Sequence, residues 1–265
     1  MNLLVKADQA GKPLVEVTPA SAGWTHVGFR AVKLAAQERE VWQQPGRECC
    51  VVILAGKASV RVGEQQWTHL GERHSVFDDM APYAVYAPPG VAVEVTAESA
   101  AEVAFCSAPS AGNHPARLIT PDSMQRSVRG KDANTRYVTD ILPQGEPADG
   151  LLVVEVRTPS GHSSSYPPHK HDRDALPEES VLEETYYHRL NPAQGFAFQR
   201  VYTDDRRIDQ SMAVEDHDVV MVPEGYHPVS VPYGYESYYL NVMAGPKREW
   251  CFKNDPAHEW IIAKP

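Results

Sequence analysis

The sequence predicts an all-β protein built as two tandem barrels, and three observations carry that prediction. Short runs rich in β-branched residues recur along the chain, each bounded by Gly or Pro. The 22 prolines and 17 glycines spread over 265 residues leave little room for long helices. A strand–turn–strand pattern in the first half returns in the second.

In chain order, the first runs are Cys50-Val51-Val52-Ile53-Leu54, Ala58-Ser59-Val60-Arg61-Val62 and Val91-Ala92-Val93-Glu94-Val95. Leu151-Leu152-Val153-Val154-Glu155-Val156 and Val219-Val220-Met221-Val222 follow. Their close spacing argues for barrels or sandwiches rather than βαβ units. The repeat pairs Tyr86-Ala87-Pro88-Pro89-Gly90-Val91-Ala92-Val93, which follows a hairpin pattern over Leu54–Gly63, with Val220-Met221-Val222-Pro223-Glu224-Gly225-Tyr226-His227. The stretch Ser107–Arg126, with its Ala, Pro, Gly, Ser and Asn, reads as a link. Residues 1–110 and 127–265 are therefore expected to form the two barrels. Asp172–Leu182, with Pro177 as a breaker, reads as a short helix or irregular insert.

With 42% hydrophobic and 23% charged residues, a chain of this length can bury a sizeable core. The net charge of -10, with no concentrated basic patch, argues against a nucleic-acid partner. An anionic substrate then needs local positive charge, from a metal or from arginine. The four cysteines, Cys49, Cys50, Cys106 and Cys251, are too few for a disulfide scaffold and suggest a reducing compartment. Adjacent Cys49 and Cys50 cannot form a CxxC motif; on a strand they face opposite ways, one into the core and one outside. Met1–Asp8 lacks an apolar signal core, and no stretch reaches membrane-spanning length. The expected location is the cytoplasm.

One constellation carries chemistry: Pro167-Pro168-His169-Lys170-His171, then Glu184, then Pro223-Glu224-Gly225-Tyr226-His227. On a strand, His169 and His171 share a face and Lys170 points away. A carboxylate on the next strand and a histidine after a Pro-x-Gly turn close the set. Three imidazoles and a carboxylate suit a borderline divalent cation, one per chain. Four protein ligands leave two openings on an octahedral ion, which favours manganese, iron or nickel, although zinc can co-purify. The first half has no His-x-His, and Ala92 stands where the last histidine falls, so the N-terminal barrel is expected to be metal-free. Its role is then structural, covering sheet edges of its neighbour.

Several side chains compete for roles. Twelve residues separate His171 from Glu184, so Glu178, Glu179 and Glu183 are rival carboxylates. Glu184 is preferred because Thr185-Tyr186-Tyr187-His188 follows it as a strand; Glu183 faces the other way, and Glu178 and Glu179 read as solvated loop charges. His188 shares the parity of Glu184 and Tyr186. It is either an acid/base working near neutral pH or a packed histidine behind the ligands. Arg200 and Tyr202 share one face of a further strand, where arginine suits bidentate capture of a carboxylate or is simply exposed. Tyr186, Tyr238 and Tyr239 offer hydroxyls to a sugar, or pack as aromatics. His114, His162 and His217 sit in turn-like settings and are left without a role.

These motifs resemble the cupin pattern, and the match to both halves resembles a bicupin, two double-stranded β-helix (jelly-roll) barrels in tandem. The second half resembles the 5-deoxy-glucuronate isomerase family of inositol catabolism, through Ser164–Asp172, Leu182–His188, Phe198–Asp205 and Tyr238–Gly245. The first half resembles it only in general pattern. The resemblance implies conversion of 5-deoxy-D-glucuronate, an aldose acid, to 5-dehydro-2-deoxy-D-gluconate, a ketose acid. It implies a small-molecule deoxy-uronic acid as the partner, leaving a homo-oligomer open. Another metal cupin enzyme (a dioxygenase or a sugar-acid decarboxylase) and a non-enzymatic sugar-binding cupin are the alternatives.

Overall fold

In the computed structural model, which describes residues 2–262, alternation of apolar residues builds four main antiparallel sheets. The first half holds a six-stranded sheet, ordered Arg117–Ile119, Tyr83–Ala87, Arg47–Ala55, Ala101–Pro109, Gly28–Leu34, Val15–Val17. It faces a four-stranded sheet, Arg39–Trp42, Val93–Ala97, Ala58–Val62, Gln65–Leu70. The second half repeats the plan. Its larger sheet runs Leu4–Val5, Val219–Val222, Glu183–Asn191, Glu236–Ala244, Leu152–Thr158, Arg136–Leu142, Gln125–Arg129. The smaller runs Ser163–Ser164, Val229–Ser230, Ala197–Tyr202, Asp209–Val214. The all-β expectation holds, and the architecture is a pair of barrels.

Strand parity explains where the core sits. Cys49, Val51 and Ile53 point into the first barrel, with Val32, Val60, Val95 and Phe105. Cys50, Val52 and Leu54 point the other way, into a layer shared with Tyr187, Val219, Leu240 and Val242 of the second half. Tyr186, Val220, Tyr239 and Met243 fill the second barrel. The large sheets thus pack face to face, burying both sides of their central strands. Two expectations change. Both Cys49 and Cys50 are buried, because the outer face of the sheet is an interface. The first half covers a face of the second barrel as well as one sheet edge, where Leu4–Val5 pairs with Val219–Val222.

Charged side chains lock this junction. The fully buried Glu48 accepts from the amides of Asp149, Gly150 and Leu151 at 2.9, 2.7 and 2.7 Å. Glu102 accepts from the Tyr187 hydroxyl at 2.7 Å and pairs with Arg189. Glu183 does face away from Glu184, and it receives the backbone amides of Thr25, His26 and Val27.

The chain also departs from the predicted boundaries. Leu4–Val5 pairs with Val219–Val222 of the second half, and Arg117–Ile119, inside the expected link, pairs with Tyr83–Ala87. Asp172–Leu182 is neither helix nor irregular: Asp172–Ala175 and Glu179–Val181 form a hairpin turning at Leu176-Pro177. Glu178 is exposed, but Glu179 is buried, accepting from the Asp172 amide at 2.9 Å. Among the described residues no helix is long and apolar enough to cross a membrane.

Candidate functional site

Three separate stretches converge inside the second barrel. His169 lies on the two-residue strand His169–Lys170, paired to Lys253–Asn254. Lys170 points away, as parity requires, into Asp172 at 2.8 Å and Asp204 at 2.9 Å. The base of the hairpin insert fixes His171, since the Leu182 amide donates to its carbonyl at 3.0 Å. The insert does not cover the site. It buttresses the C-terminal segment through the Ser180 amide and the Cys251 carbonyl, 2.9 Å apart. Gly225, at φ +89°, makes the turn before His227, and a Cβ there would sit 2.5 Å from the Tyr202 carbonyl oxygen. Asp172 accepts the Gly225 amide at 3.0 Å, tying the turn to the insert.

The donor set is oriented from behind. A backbone carbonyl only accepts, so Nδ1 of His171 donates to Leu182 O at 3.1 Å and Nδ1 of His227 to Gly225 O at 2.8 Å. In each neutral ring the Nε2 lone pair then faces the centre. One nitrogen from each of His169, His171 and His227 lies within 4.8 Å of the others. Glu184 Oε2 is 3.0 Å from His171 Nε2 and 3.2 Å from His227 Nε2. His227 Nε2 is buried and has no hydrogen-bond donor or acceptor satisfying it. Burial alone would raise the Glu184 carboxyl, but the adjacent His171 and His227 rings outweigh it and hold it at about 2. Burial, then the charges of His227 and His171, press His169 well below the ordinary imidazole value. A carboxylate held well below its usual range beside three imidazoles fits a divalent cation. Among the described residues no other such histidine cluster occurs, and the first barrel has an apolar interior.

The site opens into a cavity of about 590 Å³. His169, Glu184, Tyr186 and Tyr239 line it, with Asn241, Arg129 and Arg136. Ser165, held at φ +52°, places its Oγ 2.9 Å from the Tyr186 hydroxyl and 3.4 Å from that of Tyr239. Burial raises both phenols well above or above their ordinary value, so both stay protonated. Valines 138, 154 and 156 and the rings of Trp250 and Phe252 supply apolar walls.

Of the side chains singled out in the sequence, the structure gathers His169, His171, Glu184, His227 and Tyr186. It leaves others outside. His188 is fully buried behind Tyr186, its Nε2 2.8 Å from Gln199 Oε1 and its Nδ1 without a partner; its ring does not line the cavity. Arg200 and Tyr202 do share a face, but it is the outer one, because Gln199 and Val201 point inward. Arg200 is held by Asp209 at 2.8 Å, and the Tyr202 hydroxyl donates to Asp255 at 2.8 Å. Tyr238 faces the interface, bonded to Glu155 at 3.0 Å. His217 is buried there too, between Asp216 and Glu102. Neither Arg136 nor Asn241 stands out in the sequence; the available signal was their parity with Val138 and Tyr239.

Paired jelly-roll barrels, one carrying an inward-facing His-x-His, Glu and His set, define a bicupin. The chain belongs to the KduI/IolB family, whose model matches residues 3–261. It is 53% identical over 249 residues to the 5-deoxy-glucuronate isomerase of Geobacillus kaustophilus, covering 94% of this chain and 90% of that protein. The 5-deoxy-glucuronate isomerase of Halalkalibacterium halodurans is 52% identical over 98% of this chain and 99% of its own. Kinship at this level makes the chain an isomerase. It also extends the likeness through the first half, beyond the general pattern expected there. A crystal structure of an IolB-like protein from Salmonella typhimurium matches with a TM-score of 0.97 at 48% identity, over 99% of this chain and 100% of that one. The oxalate decarboxylase of Lactobacillus farciminis shares the fold alone, with a TM-score of 0.67 at 12% identity, over 100% of this chain and 91% of that one.

Proposed function

We propose that this protein is a metal-dependent aldose–ketose isomerase that converts 5-deoxy-D-glucuronate to 5-dehydro-2-deoxy-D-gluconate in the catabolism of myo-inositol. One observation supports this most: His169, His171, Glu184 and His227 converge at a cavity whose wall also offers the hydroxyls of Tyr186, Tyr239 and Ser165. The names of the relatives agree with it.

The four side chains would hold one divalent cation, which would supply Lewis-acid charge to the substrate oxygens that turn negative in an aldose–ketose isomerisation. Three imidazoles and one carboxylate would suit manganese, iron or nickel, which keep room for substrate oxygens, better than zinc. The protonated phenols of Tyr186 and Tyr239 donate to sugar oxygens, and Ser165 keeps the two hydroxyls in register. The apolar walls exclude water around the reacting carbons. A cytoplasmic setting belongs to the same reading, since all four cysteines are free thiols.

The test is proton NMR of 5-deoxy-glucuronate incubated with metal-loaded protein. Loss of the aldehyde hydrate signal with growth of ketose signals is the expected result. An unchanged spectrum, with oxygen uptake on another substrate, overturns the reading.

A further inference from the structure

The cavity has a cationic end remote in the sequence from the metal-ligand set. Arg129, Lys131 and Arg136 line it and, among the described residues, Glu184 is the one acid on its wall, in a chain of net charge -10. Arg129 is engaged, 3.6 Å from Asp140 and lying over the Trp250 ring. Arg136 is different. Its Nη1 donates to the Asn134 carbonyl at 3.1 Å and reaches Asn134 Oδ1 at 3.5 Å. Among the described residues its Nε and Nη2 make no hydrogen bond, and no carboxylate lies within ion-pair distance. A half-buried guanidinium without an anion is an unfavourable arrangement that a bound carboxylate relieves.

The turn is shaped around this side chain. Gly130 sits at φ +76°, and a Cβ there would lie 2.1 Å from Asn134 O and 2.7 Å from Arg136 Nη1. Only glycine lets the chain close on the guanidinium. Arg136 opens the strand Arg136–Leu142 and shares a face with Val138. Val138 pairs with Val156, which pairs with Tyr239, so arginine, valines and phenol form one run along the cavity wall.

We infer that Arg136 is the residue that binds the carboxylate of the sugar acid, and that Val138 and Val156 receive the adjoining carbon that bears no hydroxyl. This rests on the isomerase reading, and it assigns the end of the substrate away from the metal ligands. Nε and Nη2 form the fork that grips both carboxylate oxygens, while Asn134 fixes Nη1. The valines favour a methylene over a hydroxyl-bearing carbon, so the site selects a 5-deoxy acid.

The experiment uses metal-loaded Arg136→Met, Arg136→Lys and Gly130→Ala proteins. Each is assayed with 5-deoxy-glucuronate and with 5-deoxy-glucose, its neutral counterpart with a hydroxymethyl at C6. Arg136→Met should raise KM for the acid by about 30-fold, as loss of a charge-assisted pair predicts, with kcat and metal content little changed. Its kcat/KM for the neutral sugar should stay at the wild-type value. Arg136→Lys should recover part of the loss, and Gly130→Ala should shift KM the same way by displacing the fork. An equal loss on both sugars marks a structural role and overturns the inference. An unchanged KM in Arg136→Met overturns it too, while wild-type turnover leaves the isomerase reading standing. Wild-type protein that neither isomerises the acid nor binds it by calorimetry overturns both.

Discussion

Oε2 of Glu184 lies 3.0 Å from Nε2 of His171, although twelve residues separate them in the chain. The hairpin insert accounts for this: it leaves and returns at one place, with Leu182 bonded to His171 through both backbone and ring. The carboxylate therefore stands against the histidine cluster, and the proposed metal set includes it. Alanine at His169, His171 or His227 should each remove most of the bound metal, to about a tenth of wild type or less, because geometry and a donor are lost together. Glu184→Gln keeps the imidazoles but loses the negative charge, and should also bind metal weakly. Elemental analysis of the purified proteins checks this, and unchanged metal content across the set removes the site.

His188 is predicted to stay neutral and to be dispensable for chemistry. Burial pulls its pKa down to about 4, against the Gln199 bond and the Asp218 charge. The unfolded chain takes up this proton near pH 6.5, and the folded protein only near 4. Stability from this residue is therefore present above about pH 6.5 and lost as pH falls toward 4, by on the order of 3 kcal/mol. His188→Gln should lack that slope in urea unfolding at pH 7 and 4.5, and should retain turnover within about tenfold. A much larger loss of turnover with metal retained would instead return His188 to the chemistry.

How much of this was legible in the sequence follows from which signals are local. Parity placed His169, His171, Glu184 and Tyr186 inward, because a period of two survives whatever the strand pairs with. Parity also put Arg200 and Tyr202 on one face, but which face is inner depends on the inward-pointing Gln199 and on sheets that form far along the chain. Cys50 failed for the same reason: its outward face is covered by a sheet some hundred residues away or more. Glu179 read as a loop charge because its amide partner, Asp172, appears only when the insert folds as a hairpin. Arg136 had no motif around it. Its importance arises from the cavity, and a cavity has no sequence signature.

Arg200→Ala should leave catalysis alone. The side chain is exposed, held by Asp209, and stacked over Tyr202 outside the cavity. Exposed ion pairs contribute little, so stability should fall by less than about 1 kcal/mol. Steady-state kinetics with the sugar acid should give KM within about threefold of wild type. A tenfold rise would mean that the outer face of this strand contacts substrate after all.

Arg73 and Glu155 form a buried two-pronged pair across the two halves, Nη1 to Oε1 at 3.1 Å and Nη2 to Oε2 at 2.9 Å. Both side chains are nearly inaccessible to solvent, 2% and 6% exposed. Tyr238 adds a third bond to Glu155, at 3.0 Å. Removing one partner leaves the other buried and charged, so Glu155→Ala or Arg73→Met should cost about 3–5 kcal/mol each. Replacing both with apolar residues of similar volume should cost much less than the sum, since no uncompensated charge remains. Urea unfolding of the two single variants and the double variant measures this coupling. Additive losses would show that the pair acts through packing alone, and that the junction between the barrels is held by its shared apolar layer.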